Sequence, residues 1–210
     1  RCCPGLRPAR VLAGSHYFFA IDGKIVALFG LKDALKEGAK KSVKALHALG
    51  LHMVILSGDH EAITKDIAKE VGIDTYESAL LPDEKAAYIQ TLREKGHRVV
   101  MAGDGINDTL ALSSSEIAIA MGNGADVAIE VSDVVLTNES MQGLYEAFVI
   151  ARKTLTIVKE NLAFSLLYNT LIIPLAMSGY VIPLVAAASM SLSSIVVVGN
   201  AMRINTLFKK

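Results

Sequence analysis

The chain has 210 residues, which allows one or two domains. Its 21 basic and 21 acidic residues cancel, so nothing in the charge supports a basic nucleic-acid module or an acidic disordered tail, and no nucleic-acid partner is expected. Cys2 and Cys3 are adjacent and are the only cysteines, which excludes a disulfide framework and fits a reducing compartment.

Residues 1–15 show no periodicity. Tyr17–Ile21 and Lys24–Phe29 read as a β-hairpin turning at Asp22-Gly23. Ala34–Leu49 reads as a helix closed by Gly50, His52–Leu56 as a buried strand, and Glu61–Val71 as a helix capped by Gly72. Pro82-Asp83 opens a helix running to Lys95. Arg98–Ala102, Glu116–Met121 and Asp133–Leu136 read as further strands, and Ser140 starts a long helix. Short apolar runs alternating with amphipathic helices make an α/β domain with a parallel sheet.

The last part is different. Residues 161–202, 42 in a row, contain no Asp, Glu, Lys, Arg or His. One membrane span needs about 20 residues, so the run accommodates two, 158–177 and 181–203, turning at the small residues and proline of 176–183. Arg152, Lys153 and Lys159 precede it, and Arg203, Lys209 and Lys210 follow it. By the positive-inside rule both ends then sit on the cytoplasmic side. The bland alternative is a buried helical pair in a large soluble core, against which stands the lack of any polar face over this length.

The chemistry concentrates at strand ends. Val99-Val100-Met101-Ala102 runs into Gly103-Asp104-Gly105-Ile106-Asn107-Asp108. Carboxylates four apart among glycines, at the C-terminal end of a parallel strand, lie where open α/β sheets place ligands. The glycines permit close backbone approach, and the carboxylates are hard oxygen donors suited to Mg²⁺. A turn at Asp104 and a helix cap at Asp108 are the plain structural readings of each residue alone. His52–Leu56 similarly ends in Ser57-Gly58-Asp59, a hydroxyl and an amide-rich turn suited to phosphate oxygens. Lys85 stands in the first turn of a helix, against the helix dipole unless an anion answers it. Taken singly, Ser57 and Lys85 read as surface residues; the order hydroxyl, lysine, aspartate pair is what points to phosphoryl chemistry.

That order resembles the haloacid-dehalogenase-like phosphotransferases, and within them the phosphorylation domain of P-type ATPases. Gly103 to Asp108, Ile119-Ala120-Met121-Gly122, Asp126-Val127-Ala128 and Ser132 to Leu136 are similar to the heavy-metal-pumping subfamily. Tyr168-Asn169 and Met190-Ser191-Leu192-Ser193-Ser194 resemble the YN and MxxSS signatures of copper(I)-exporting members. Leu56-Ser57-Gly58-Asp59 and the short turn resemble the pumps that supply cbb3-type oxidases. The resemblance covers about residues 16–205.

It implies a haloacid-dehalogenase-like Rossmannoid sheet, incomplete, followed by a two-helix transmembrane hairpin. Residues 1–30 would hold an irregular start and a remnant of a nucleotide domain, 31–150 the C-terminal part of the phosphorylation domain, and 151–210 the hairpin. Asp104 and Asp108 would hold Mg²⁺, Lys85 phosphoryl charge, and Ser57 a hydrogen bond to it. Gly58, Asp59, Gly103, Gly105 and Asn107 would shape that site, with Asp59 supporting the Ser57 loop. Tyr168, Asn169, Met190 and Ser194 would bind Cu⁺. The implied cofactors are Mg²⁺ and ATP, and the implied partners a lipid bilayer, Cu⁺ and a cytoplasmic copper chaperone. The implied location is a bacterial inner membrane.

Geometry bears on the metal separately. Tyr168 and Met190 each lie 11 residues from Gly179, so both sit roughly 16 Å from the turn, near mid-membrane. Met190, Ser193 and Ser194 share one helix face, and a thioether suits Cu(I). Helix packing explains the same residues without metal.

The Asp-Lys-Thr-Gly-Thr phosphorylation motif, the Thr-Gly-Glu of the dephosphorylation domain and Cys-Pro-Cys do not occur in the sequence. Smaller departures are Thr109-Leu110 after the aspartate pair, His60, and Lys32-Asp33-Ala34 at the hinge. The expectation is therefore the C-terminal part of a larger pump, inactive alone, with residues 1–15 read as a truncated or misassembled frame. The competing readings are a membrane-anchored phosphatase of the same superfamily, whose nucleophile would have to be Asp22, and a non-catalytic partner of a full-length pump.

Overall fold

A computed structural model describes residues 15–31, 34–103, 106–122, 126–138, 140–179 and 182–206. The chain divides into two compact units, Arg1–Tyr145 and Glu146–Lys210.

The first unit opens with the hairpin β1 (Ser15–Ile21) and β2 (Lys24–Leu31), paired antiparallel with Ile21 opposite Lys24. Asp22 and Gly23 fill its two-residue turn with φ of 50° and 74°. Both are left-handed, as a tight hairpin requires, and Asp-Gly meets that requirement. Asp22 is thereby a turn residue of the hairpin.

Five helices and five strands then alternate: α1 (Ala39–Ala48), β3 (Val54–Leu56), α2 (Glu61–Val71), β4 (Thr75–Glu77), α3 (Pro82–Glu94), β5 (Val100–Gly103), α4 (Thr109–Ser114), β6 (Ile117–Met121), α5 (Asp126–Glu130) and β7 (Val134–Leu136). Helix α1 starts five residues later than expected, because Gly38 at its N-cap has φ 79° and cannot lie inside a helix. Strand β4 was not anticipated; three residues give no readable alternation. All pairings among β3–β7 are parallel, in two ladders, β3–β4 and β5–β6–β7. Among the described residues β3 pairs only with β4, and β5 only with β6.

Each ladder has its own apolar support. Val43, Val71 and Ile73 pack with Met53 and Ile55 beside β3, where Leu35 and Met141 join them. Leu112, Ala118 and Ala128 pack with Met101 and Val131 beside β5 and β6. Asp133 ties β6 to the turn before β7: its Oδ2 accepts the Ala118 N–H at 2.9 Å while its own N–H donates to the Ala118 carbonyl at 2.9 Å.

The second unit contains most of α6 (Met141–Met177) and all of α7 (Pro183–Met202). Gly179, φ 78°, lies in the turn after α6. Tyr168 and Ser189 hydroxyls meet at 2.9 Å across the two helices. By length and composition one stretch among the described residues, Ala187–Asn205, is apolar enough to cross a bilayer. The expected first span over 158–177, which includes Lys159 and Glu160 as well as several uncharged polar residues, does not reach the same measure.

Leu112 is 1 % exposed and central to the second cluster. Leu112→Ala should destabilise this unit by about 3 kcal/mol through lost burial and the residual cavity. A urea titration followed by circular dichroism measures it, and a shift under about 1 kcal/mol would mean the cluster is not a packed core.

Candidate functional site

The site is built from three loops. The first follows β3. The Ser57 hydroxyl donates to Asp59 Oδ2 at 2.9 Å, and the Asp59 N–H donates back to Ser57 Oγ at 3.1 Å. Asp59 thus fixes the loop that presents Ser57.

The second loop joins β4 to α3 and is bonded to the first. Leu80 N–H donates to the Ser57 carbonyl at 3.0 Å, and Ala79 N–H to the Asp59 carbonyl at 2.7 Å. Ala79 takes φ 52° to make this contact, an uncommon conformation for a non-glycine residue. Pro82 then occupies the first helical turn, where its missing N–H costs nothing. The Glu84 carboxylate accepts the Leu81 N–H at 2.8 Å and fixes the helix start.

Lys85 comes next and is buried. Its place in the first turn demands an anion, and Asp108 supplies one: Lys85 Nζ lies 2.8 Å from Asp108 Oδ1, with side chains 11 % and 18 % exposed. Asp108 ends a 3-10 turn, Ile106–Asp108, and is the N-cap of α4. Gly103, buried at the end of β5, explains how the carboxylate fits. A Cβ on Gly103 would lie 3.0 Å from both Cβ and Oδ2 of Asp108. A side chain there would push the Asp108 carboxylate by a few tenths of an ångström.

The three loops therefore connect Ser57, Lys85 and Asp108 at the C-terminal ends of β3 and β5. Gly58 and Asn107 lie exposed in the first and third loops. Asp104 and Gly105 lie outside the described residues. Among the described residues no group of three His, Cys, Asp or Glu side chains is placed to hold a metal ion. The carboxylate chemistry of Asp108 fits Mg²⁺ as one hard donor.

The expected cargo residues are placed as follows. Tyr168 contacts Ser189, whose neighbour is Met190. Met190 is 66 % exposed, Asn169 is exposed, and the Ser194 hydroxyl donates to its own helix at the Met190 carbonyl, 3.1 Å. The described contacts bring Tyr168 and Ser189 together and do not gather the other three. Ser189 was missed from sequence; only its place in the Ser-Met-Ser-Leu-Ser-Ser run could have pointed to it.

The Lys85–Asp108 pair gives a test. Lys85→Ala leaves a mostly buried carboxylate alone and should lower stability by about 3 kcal/mol. The apolar double replacement Lys85→Met with Asp108→Leu should lose far less. Denaturant midpoints decide; a single variant as stable as the double would show that the pair does not organise the loops.

Comparison with known proteins agrees with this geometry. A family model described as haloacid dehalogenase-like hydrolase matches residues 5–115, and a second with the same description matches 83–148. The chain is 39 % identical over 188 residues to a cation-transporting P-type ATPase B of Mycobacterium leprae, covering 90 % of this chain and 25 % of that protein. It is 41 % identical over 188 residues to a copper-exporting P-type ATPase of Staphylococcus haemolyticus, covering 90 % and 24 %. A zinc-transporting PIB-type ATPase superposes with TM-score 0.78 at 31 % identity, over 87 % of this chain and 30 % of that one. The chain spans about a quarter of the length of the relatives it matches. Since the two family matches cover the segments that carry Ser57, Lys85 and Asp108, the chain belongs to the haloacid dehalogenase-like hydrolases, and its relatives within them are heavy-metal P-type ATPases.

Proposed function

We propose that the chain is the C-terminal part of a P-type ATPase that exports Cu⁺ from the cytoplasm: part of a phosphorylation domain followed by a two-helix membrane hairpin. The observation that carries this reading is the bonded series Ser57 loop, Lys85, Asp108 at the sheet's C-terminal ends. Phosphoryl transfer is positioning plus charge stabilisation, and these residues supply both. The Lys85 ammonium offsets phosphoryl charge, the Ser57 hydroxyl would turn from Asp59 to donate to a phosphoryl oxygen, and Asp108 orients Lys85. Asp108 and Asp104 would hold Mg²⁺, which supplies Lewis-acid charge to the phosphoryl oxygens when bound. ATP and the acceptor aspartate belong to the rest of the pump. Among the described residues no second strand pairs with β3 or β5, consistent with a further strand in the complete domain.

The relatives divide between copper and zinc in their names. Zinc favours Cys, His and carboxylate ligands. Residues 161–202 contain none of these. Met190 offers a soft sulfur at the depth of Tyr168, which suits Cu⁺. The uncharged run with basic flanks supports insertion of 158–203 as a hairpin with both ends cytoplasmic.

Two outcomes are expected. The purified 210-residue chain should show no Cu⁺-stimulated ATP hydrolysis, because it has no Asp-Lys-Thr-Gly-Thr nucleophile. Turnover above background that Asp108→Ala abolishes would overturn this. In a complete pump carrying this hairpin, Met190→Leu should reduce bound Cu⁺ as severely as Met190→Ala, since neither side chain offers a donor. If Met190→Leu keeps full copper stoichiometry and affinity, Met190 only packs, because volume-conserving apolar swaps are tolerated.

A further inference from the structure

The two charged residues that bracket the uncharged run meet each other. Glu160 immediately precedes residues 161–202 and Arg203 immediately follows them. Arg203 Nη1 nevertheless donates to Glu160 Oε2 at 3.0 Å. Asn200, about one turn before Arg203 on α7, completes the cluster. Its amide nitrogen donates to Glu160 Oε2 at 3.0 Å and to Asn161 Oδ1 at 2.9 Å, and its oxygen accepts from Arg203 Nη1 at 2.7 Å.

Many apolar side chains of these helices point away from the partner helix. Leu162, Leu166, Leu171 and Ile173 of α6 and Leu192 and Ile195 of α7 are exposed. In lipid, apolar side chains have no hydrophobic drive toward one another. A slip of one turn, about 5.4 Å, leaves such contacts nearly equivalent. Directional polar contacts distinguish the registers, and this cluster and the Tyr168–Ser189 contact are such contacts between α6 and α7.

We infer that Glu160, Asn200 and Arg203 form a register lock that holds Met190 at the depth of Tyr168. They are positioning residues and touch no cargo. The inference rests on the membrane-hairpin reading above. The ion pair joins the two charges that flank the run. Asn200 is suited to the centre, because an amide both donates and accepts.

The test uses the full chain with Cys2→Ser and Cys3→Ser, in phosphatidylcholine vesicles and metal-free buffer. Disulfide formation on diamide treatment is compared for Tyr168→Cys with Ser189→Cys and for Tyr168→Cys with Ser193→Cys, one turn further along α7. The first pair should dominate. Glu160→Ala or Arg203→Ala should lower the ratio of first to second pair about fivefold, which is about 1 kcal/mol of register preference. The swap Glu160→Arg with Arg203→Glu should restore the ratio. An unchanged ratio in the single variants, or a ratio the swap leaves low, overturns the lock. The readout involves neither copper nor ATP, so a hairpin that fails to bind Cu⁺ leaves this result standing, and a failed lock leaves copper binding to be measured separately.

Discussion

A lysine in the first turn of a helix opposes the helix dipole, and Lys85 is held there because Asp108 lies 2.8 Å away. Much of the arrangement of the loops after β3, β4 and β5 follows from that pair. Gly103, with no side chain, leaves the carboxylate the room it takes beside β5. Lys85 is set in place by Glu84 and Pro82 at the start of α3, and that start is bonded through Leu80 and Ala79 to the loop of Ser57 and Asp59. A hydroxyl from the loop after β3, an ammonium from the first turn of α3 and a carboxylate from the 3-10 turn after β5 are thereby linked. Such pre-ordering is what charge stabilisation of phosphoryl transfer needs, because the groups do not reorganise during reaction.

The second unit obeys a different constraint. Many of its described apolar side chains, Leu162, Leu166, Leu171, Leu192 and Ile195 among them, are exposed. Its specificity lies in a few polar contacts. Tyr168 meets Ser189, and Glu160 meets Asn200 and Arg203. The uncharged run ends where its two flanking charges pair.

Much of this was legible in sequence, for local reasons. Asp22-Gly23 announced a turn whose two positive φ values few other dipeptides supply. Gly72 announced the end of α2, where it is indeed left-handed. The lysine's position announced that an anion was needed, and the Gly103 to Asp108 run offered one. Other features were hidden because they depend on neighbours distant in sequence. Helix α1 was read too long because Glu37-Gly38 interrupts no apolar period, although Gly38 breaks the backbone. Strand β4 exists because β3 pairs with it, not because Thr75-Tyr76-Glu77 has a pattern of its own. Gly103 looked like a residue for ligand approach, and the structure adds that it makes room for Asp108. Polar residues within 158–177 weaken the first span by composition, while Tyr168 gains its partner only across the hairpin.

The central claim is that Ser57, Lys85 and Asp108 form the phosphoryl-binding end of a heavy-metal pump. The direct measurement is a chimera in which residues 16–210 replace the matching segment of a copper-exporting relative, assayed for Cu⁺-dependent acyl-phosphate formation from ATP. The account predicts that the chimera is phosphorylated and that Lys85→Ala reduces acyl-phosphate by at least about a hundredfold, the scale of removing one transition-state charge contact. A folded, membrane-inserted chimera that forms no acyl-phosphate, or forms it equally well with Lys85→Ala, would contradict the account.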